Sequence, residues 1–174
     1  MFSLTYSSVY DPYHAAFRFL SLARAVEPGS SHDFEAIRIV DFYHCFPWLL
    51  KDFTAYTKIA GFQRAKNAVV RAYPQSRFDV LPDRHLVYHR MLPPQLVARA
   101  ALLESGALAE REEGLQFKPE IVAANTLRSA LDLYERENEK LLTFLGRFLM
   151  DVPLYGASGL KDRSGLGEFR YDVV

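Results

Sequence analysis

The sequence predicts a mainly α-helical fold with a small β-hairpin. Three observations support this prediction: apolar residues recur at helical spacing along most of the chain, capping residues precede these stretches, and glycine or proline separates them. The 174 residues suffice for one domain that buries roughly 70% of the surface of its unfolded chain. We therefore expect a compact helical domain over residues 1–152 and a glycine-rich C-terminal arm over residues 153–174.

The composition narrows the classes of function. The chain has 21 basic and 21 acidic residues, so it lacks the overall positive charge of a dedicated nucleic-acid-binding protein. Its single cysteine, Cys45, excludes an internal disulfide framework, and neither a secretory leader nor an apolar run of about eighteen residues is evident. We expect a cytoplasmic protein without a membrane span. A hydrophobic share of 49%, with 13 Phe and 10 Tyr, indicates that some apolar surface serves a partner.

The first two helices are marked by their N-terminal caps. Asp11 followed by Pro12 predicts a helix over residues 12–26. Asp33 precedes a second helix that is apolar on nearly all sides, so we expect this helix to be central and buried. Pro47 should bend or end it.

The stretch between Phe53 and Phe78 contains basic residues and no acidic one. A helix over residues 62–73 would carry Arg64, Asn67 and Arg71 on one face, opposite an apolar face. This basic face could contact a phosphate backbone or an acidic partner, or it could simply be solvated.

Residues 94–119 predict a helix, a turn at Gly106 and two short strands, which is the pattern of a winged helix. A helix that reads a DNA groove needs several long hydrogen-bond donors, and this one offers only Gln95 and Arg99. The hairpin also carries three acidic residues, Glu110, Glu112 and Glu113. A winged helix here would bind protein more readily than DNA.

Residues 121–150 predict one long helix or two closely linked helices with a heptad repeat of large side chains. The repeat comprises Leu127, Leu131, Tyr134, Asn138, Leu141, Leu145 and Phe148. Such a seam either forms a coiled coil with a partner or covers the core of its own domain, and Asn138 would fix its register.

The C-terminal arm holds four of the nine glycines, so it cannot be the interior of a helix. Phe169 and Tyr171 alternate with charged residues, which suits a short strand or a tail laid on a surface. That surface could belong to the same domain or to a partner.

The sequence predicts no catalytic, cofactor or metal site. His44 and Cys45 are adjacent, so their side chains diverge by about 100° on a helix and do not form a nucleophile–base pair. Ser158 and Ser164 lack the second flanking glycine of a nucleophile elbow at the right distance. His85 and His89 lie four residues apart but have no third ligand nearby in the sequence.

Three stretches of sequence resemble a known family: YDPYHAAFRFL near the start, AIRIVDFYHCFPWLLKDF in the middle and DVPLYGASGLKDRSGLGEFRYD at the end. They resemble the fifth class of middle components of ABC-three-component systems. The resemblance implies an adaptor encoded beside an ABC or SMC-like ATPase and an effector subunit such as a nuclease, in bacterial defence against phages or plasmids, as in Lamassu-type systems. It implies no catalytic role for Asp41, Tyr43, Arg163 or Arg170.

The leading hypothesis is therefore a non-catalytic accessory subunit with no membrane contact and no small-molecule substrate. Its expected partner interface comprises Lys161, Arg163, Phe169, Arg170, Leu141 and Leu145. The alternative is a stand-alone winged-helix DNA-binding regulator, and DNA contact within the larger complex is a mixed case. The candidate nucleic-acid contacts are Arg64, Lys66, Arg71 and Arg99. A third hypothesis, a small hydrolase or metal enzyme, rests on His85, His89 and Cys45 alone.

Overall fold

A computed structural model of the chain describes residues 8–121 and 125–166. The α-helices are α1 (Pro12–Ala23), α2 (Phe34–Cys45), α3 (Phe62–Ala72), α4 (Arg84–Glu104), α5 (Asn125–Glu137), α6 (Glu139–Phe144) and α7 (Leu160–Ser164). The strands are β1 (Ser31–His32), β2 (Leu108–Arg111) and β3 (Gly114–Phe117). The predicted fold class, mainly α with a small β element, is confirmed.

The N-caps of the first two helices form as predicted. Asp11 Oδ1 accepts hydrogen bonds from the backbone N–H groups of Tyr13 and His14, at 2.8 and 3.1 Å. The carboxylate of Asp33 accepts from the N–H of Glu35 at 2.8 Å. Helix α2 is buried continuously over residues 36–44, as its apolar sequence predicts. It ends at Cys45, and Pro47–Asp52 form a 3₁₀ helix.

Helix α4 is longer than the sequence indicates. The expected start at Pro94 is wrong: Asp83 caps the helix one residue before Arg84, and Pro93 and Pro94 lie inside it. Asp83 Oδ1 accepts from the N–H groups of His85 and Leu86, at 2.9 and 3.0 Å. This cap fixes the first turn, and the helix continues through both prolines.

The predicted hairpin forms and gains a third strand. The antiparallel order is β1–β3–β2, with Leu108 opposite Phe117 and Ser31 opposite Gln116. Gly114 has φ +129°, and a Cβ atom there would lie 2.5 Å from the carbonyl oxygen of His32. Only glycine therefore lets β1 approach the start of β3 this closely.

Of the two alternatives predicted for residues 121–150, the described residues form closely linked helices and not one long helix. Helices α5 and α6 are separated at Asn138, and a π-helix over Leu145–Leu149 follows α6. The Asn138 side chain donates to the carbonyl oxygen of Tyr134 at 3.0 Å and accepts from the Tyr73 hydroxyl at 3.0 Å. The Asn138 amide thus stabilises the junction between α5 and α6 and connects this junction to the end of α3.

The core is rich in aromatic side chains. Phe62 packs edge-on against Phe144 with ring centroids 5.2 Å apart, and it stacks with Phe53 at 5.9 Å. These contacts join α3, α6 and the 3₁₀ helix after α2. In the described part of the chain, no helix is long and apolar enough to cross a bilayer.

Candidate interaction surfaces

An ion pair lies at the centre of the fold, between α1 and α2. Arg18 Nε donates to Asp41 Oδ1 at 2.6 Å, and its second nitrogen donates to Oδ2 at 3.0 Å. The Asp41 side chain is only 1% exposed. Burial alone would lower the pKa of Arg18, but the Asp41 carboxylate raises it, so the guanidinium stays charged. Asp41 therefore has a structural role, which accounts for its place in the IVDFY motif.

The pair extends into a polar network that reaches α4. The Gln95 side chain donates to Asp41 Oδ2 and accepts from Arg38 Nε, both at 2.9 Å. Arg38 in turn donates to Glu35 at 2.7 Å, and its guanidinium lies 4.3 Å from the centre of the Tyr88 ring. Each of these groups has a partner inside the protein, so the network holds α1, α2 and α4 in one arrangement.

The two chemically reactive residues of α2 have little contact with water, since His44 is buried and Cys45 is partly buried. Burial lowers the pKa of His44 to about 4 and raises the pKa of Cys45 to about 12. His44 Nε2 lies 2.8 Å from the Tyr134 hydroxyl. At neutral pH the imidazole is uncharged and the thiol protonated, so neither side chain is prepared for nucleophilic chemistry.

His85 and His89 lie one turn apart in the first half of α4. Within residues 8–121 and 125–166, no group of three or more His, Cys, Asp or Glu side chains is placed to hold a metal ion.

The described part of the C-terminal arm is fastened to its own domain by Arg163. Its guanidinium donates to the carbonyl oxygens of Thr54 and Ala55 at 2.8 and 2.7 Å, and to that of Ser158 at 2.5 Å. It also lies 5.2 Å from the centre of the Tyr56 ring. Arg163, a predicted interface residue, thus satisfies loop carbonyls that precede α3.

The outer surface of the arm carries an exposed aromatic ring beside cations. Tyr155 is 67% exposed, and Lys161 Nζ lies 5.3 Å from the centre of its ring. Lys58 and Arg163 line the same cleft, whose volume is about 300 Å³. The two remaining predicted arm residues, Phe169 and Arg170, lie outside the described residues.

Leu141 and Leu145, the predicted partner contacts of the heptad seam, are 2% and 0% exposed. The structure places both in the core, against α2 and α3. Of the two explanations for the seam, the described fold matches the one in which it covers its own domain.

A groove between α1 and α5 offers an apolar surface on the outside. Its lining comprises Tyr13, His14, Ala16, Phe17, Leu20 and Leu127, and its volume is about 510 Å³. Tyr13 is 86% exposed, although it sits one turn from the buried core of α1. Sequence reasoning missed this groove because helical spacing does not show whether an apolar side of α1 faces the core or the outside.

The four predicted nucleic-acid contacts do not form one surface. Arg64 and Arg71 are exposed on the outer face of α3, opposite Phe62, as predicted. Lys66 is only 5% exposed and donates to the carbonyl oxygen of Phe53 at 2.7 Å. Arg99 donates to Glu110 of the hairpin at 2.8 Å. Two of the four side chains are therefore already engaged within the fold.

Helix α4 also has an apolar outer face. Leu96 is 43% and Val97 is 54% exposed, whereas Gln95, expected as an outward donor, is 0% exposed. The same helix thus directs a polar side chain into the core and apolar side chains to solvent.

The network residues Arg18, Arg38 and Gln95 were not predicted. One signal was available for α2: Arg38 and Asp41 interrupt a helix that is otherwise apolar on all sides, and charges on such a helix must find partners. No comparable signal marks Gln95, since its burial depends on Arg38 and Asp41, which are more than 50 residues away in the sequence.

These features define a mainly helical domain with a three-stranded antiparallel sheet, a buried polar centre, and apolar and aromatic patches on its outside. The family model of the ABC-three component (ABC-3C) system Middle Component 5 matches residues 4–172. The chain belongs to this family, which implies a role in an ABC-three-component defence system. No curated protein and no solved structure matches the chain.

Proposed function

We propose that this protein is an accessory subunit that links the ATPase and the effector of a bacterial ABC-three-component system in defence against phages or plasmids. The observation that carries the proposal is the apolar groove between α1 and α5, taken together with the family. In this proposal the subunit contributes binding surfaces, and the chemistry belongs to its partners.

The groove has the composition of a binding site for a partner helix. Tyr13 supplies a large exposed ring, and Phe17 and Leu127 line the walls with apolar area. Interface hot spots are commonly aromatic anchors set in apolar surroundings, and an amphipathic helix fills such a groove with side chains spaced by three and four residues. We therefore assign the ATPase or the effector a helix with an apolar face at this position.

The outer surface of the arm forms the second proposed contact. Tyr155 and Lys161 combine an aromatic ring with a cation, and Lys58 adds a further charge. These cations favour a partner with an acidic surface. The proposal keeps Phe169 and Arg170, which lie outside the described residues, as further partner contacts. Arg163 positions the arm through its hydrogen bonds to the loop before α3.

The first test is co-purification of the tagged chain with the proteins encoded beside it, through a high-salt wash. Tyr13→Asp should release the partner seated in the groove, because a charge would be desolvated against Phe17. Phe78→Asp is the matched control, since Phe78 is also 86% exposed but lies outside the groove. Equal retention by both variants, or no co-purifying ATPase with the wild-type chain, would contradict the proposal.

The arm is tested with Lys161→Glu. A reversal at Arg163 would detach the arm from the loop before α3, whereas the Lys161 ammonium group lies over the exposed Tyr155 ring. We expect weaker retention of one partner at moderate salt, with Lys140→Glu, an exposed position on α6, as the control. If Lys161→Glu retained both partners as well as the wild-type chain does, the arm would not be part of the interface.

The second candidate function is DNA binding by a winged helix. The sheet order β1–β3–β2, with α1, α2 and α4 in chain order around it, supports this fold, with residues 47–83 inserted before α4. The specific observation in its favour is the exposed pair Arg64 and Arg71 on α3. With two phosphate contacts, the affinity should fall only gradually as salt rises. The slope of log affinity against log salt concentration should be about −0.9 for each phosphate.

This alternative is tested by duplex binding of the isolated chain at low salt. Arg64→Glu combined with Arg71→Glu should abolish binding if α3 contacts the backbone. Absence of binding by the wild-type chain, or binding that does not change with salt, would rule out a stand-alone regulator. The same double variant in the assembled complex tests whether DNA contact requires the partners.

A further inference from the structure

The outer face of α4 carries a regular repeat that nothing in the described fold covers. Exposed residues follow one another at intervals of four, three, four, three and four. They are Leu86, Arg90, Pro93, Val97, Ala100 and Glu104. A repeat of this period keeps one face of a helix turned toward a second helix over several turns. In α4 this face points outward.

The repeat carries charges of opposite sign toward its two ends. Arg90 is its second residue and Glu104 its last, and both are exposed. Between them the stripe is apolar, with Val97 at the midpoint and 54% exposed. The distance along the helix from Arg90 to Glu104 is about 21 Å, at about 1.5 Å per residue.

We propose that the outer face of α4 binds a second copy of this chain, with the two α4 helices antiparallel. A two-fold axis near Val97 would place Arg90 of each copy beside Glu104 of the other, so one contact yields two opposite-charge pairs. A parallel arrangement would instead bring Arg90 against Arg90 and Glu104 against Glu104. The antiparallel arrangement also opposes the two helix dipoles.

This charge pattern is the reason for choosing a second copy as the occupant. An unrelated helix would need an apolar stripe of the same length and the reverse order of charges at its ends, and α4 itself, turned about the axis, supplies both. The inner side of α4 is fixed by Gln95 in the polar network, so the outer stripe is presented in a defined orientation.

The purified full chain tests this by sedimentation velocity over a range of concentrations. We expect a monomer–dimer equilibrium. Arg90→Glu and Glu104→Arg should each raise the dissociation constant roughly tenfold or more, because each creates like-charge contacts at two sites. The combined variant Arg90→Glu/Glu104→Arg should restore the wild-type value. Arg71→Glu, on the outer face of α3, makes the same charge change and should have no effect.

A cross-linking experiment locates the axis. Val97→Cys should give a linked dimer with a short bismaleimide, whereas Val80→Cys, 80% exposed in the loop before α4, should not. The natural Cys45 is partly buried and its surroundings raise the pKa of its thiol, so the wild-type chain measures the background from this residue. Circular dichroism melts of every variant check that the surface changes leave the fold intact.

A chain that stays monomeric at all concentrations, or a double charge variant no better than the single ones, would overturn the proposal. So would equal cross-linking at positions 80 and 97. If the α4 variants release a co-expressed partner without changing self-association, the face belongs to that partner and the dimer is wrong. None of these outcomes depends on the groove between α1 and α5, so the proposed function is tested separately.

Discussion

The two sides of α4 both depart from those of an ordinary surface helix: the buried side includes polar groups among its apolar residues, and the exposed side includes large apolar residues. Its inner side directs Tyr88 and Gln95 toward the charges of α2, and both are at most 2% exposed. Its outer side exposes Leu86, Leu96 and Val97. A helix of a globular protein normally buries its apolar stripe and exposes its charges. Here the polar groups on the buried side fix how α1, α2 and α4 fit together. The apolar residues on the exposed side remain available for another surface.

The energetics of the two sides should differ accordingly. A buried ion pair contributes little net stability compared with apolar residues of similar volume, but removal of one partner leaves an uncompensated buried charge. An exposed apolar residue contributes little to the fold in either case. Single substitutions on the inner side should therefore be costly, and those on the outer side nearly neutral.

The largest effect is expected for Asp41→Asn. The amide cannot neutralise the Arg18 guanidinium, which has lost most of its contact with water, so we expect a loss of about 3–5 kcal/mol of unfolding free energy. Urea denaturation monitored by circular dichroism measures it. Arg18→Met combined with Asp41→Leu should recover most of the loss, since no charge is then left buried. A loss of less than about 1 kcal/mol of unfolding free energy in Asp41→Asn would contradict a buried, uncompensated charge at Arg18.

The next effect is a dependence on pH from His44. Burial lowers its pKa to about 4 in the folded chain, and the unfolded value is about 6.5. Between these values the unfolded chain binds a proton that the folded chain does not, so stability is lost as the pH falls from 6.5 toward 4. The maximum loss is about 3 kcal/mol, at about 1.4 kcal/mol per pKa unit.

Urea titrations at pH 7 and pH 4.5 check this prediction. His44→Gln should reduce the difference between the two pH values, because it removes the buried imidazole. An equal pH dependence in the wild type and His44→Gln would show that other groups dominate.

Gln95→Met should have an intermediate effect. The change preserves the shape of the side chain but leaves one donor of Arg38 and one acceptor of Asp41 without their shared partner. Unpaired buried polar groups of this kind cost about 1–3 kcal/mol. Gln63→Met on the exposed face of α3 is the control and should change stability by less than about 0.5 kcal/mol. Equal effects at the two positions would argue against a network through Gln95.

Local sequence signals account for much of the fold. The caps Asp11 and Asp33, the buried course of α2 and the hairpin after Gly106 were predicted correctly, because each depends on residues within a few positions of one another. The start of α4 was predicted wrongly, because the proline pair is a stronger local signal than the Asp83 cap. The break at Asn138 depends on Tyr73, which is distant in sequence.

The surfaces were harder to predict, for a physical reason. Periodicity shows that Leu96, Val97 and Ala100 share a side of a helix, but it does not say whether that side faces the core. Gln95 is buried because Arg38, 57 residues away, needs an acceptor. Lys66 was expected on the surface, but its long chain reaches the carbonyl oxygen of Phe53. Such assignments depend on tertiary contacts that no short window contains.

The smallest effect gives the sharpest test of the comparison between the two sides of α4, because this helix contains a matched pair of valines. Val87 is 0% exposed and Val97 is 54% exposed, ten residues apart in the same helix. Val87→Ala removes buried methyl groups and should cost about 1–3 kcal/mol, whereas Val97→Ala should change stability by less than about 0.5 kcal/mol, or raise it, since alanine is the better helix former. Both are measured at protein concentrations low enough to keep the chain monomeric. A cost at Val97 as large as that at Val87 would place the outer face of α4 inside the fold, and it would remove the basis for the surface proposed to bind a second copy.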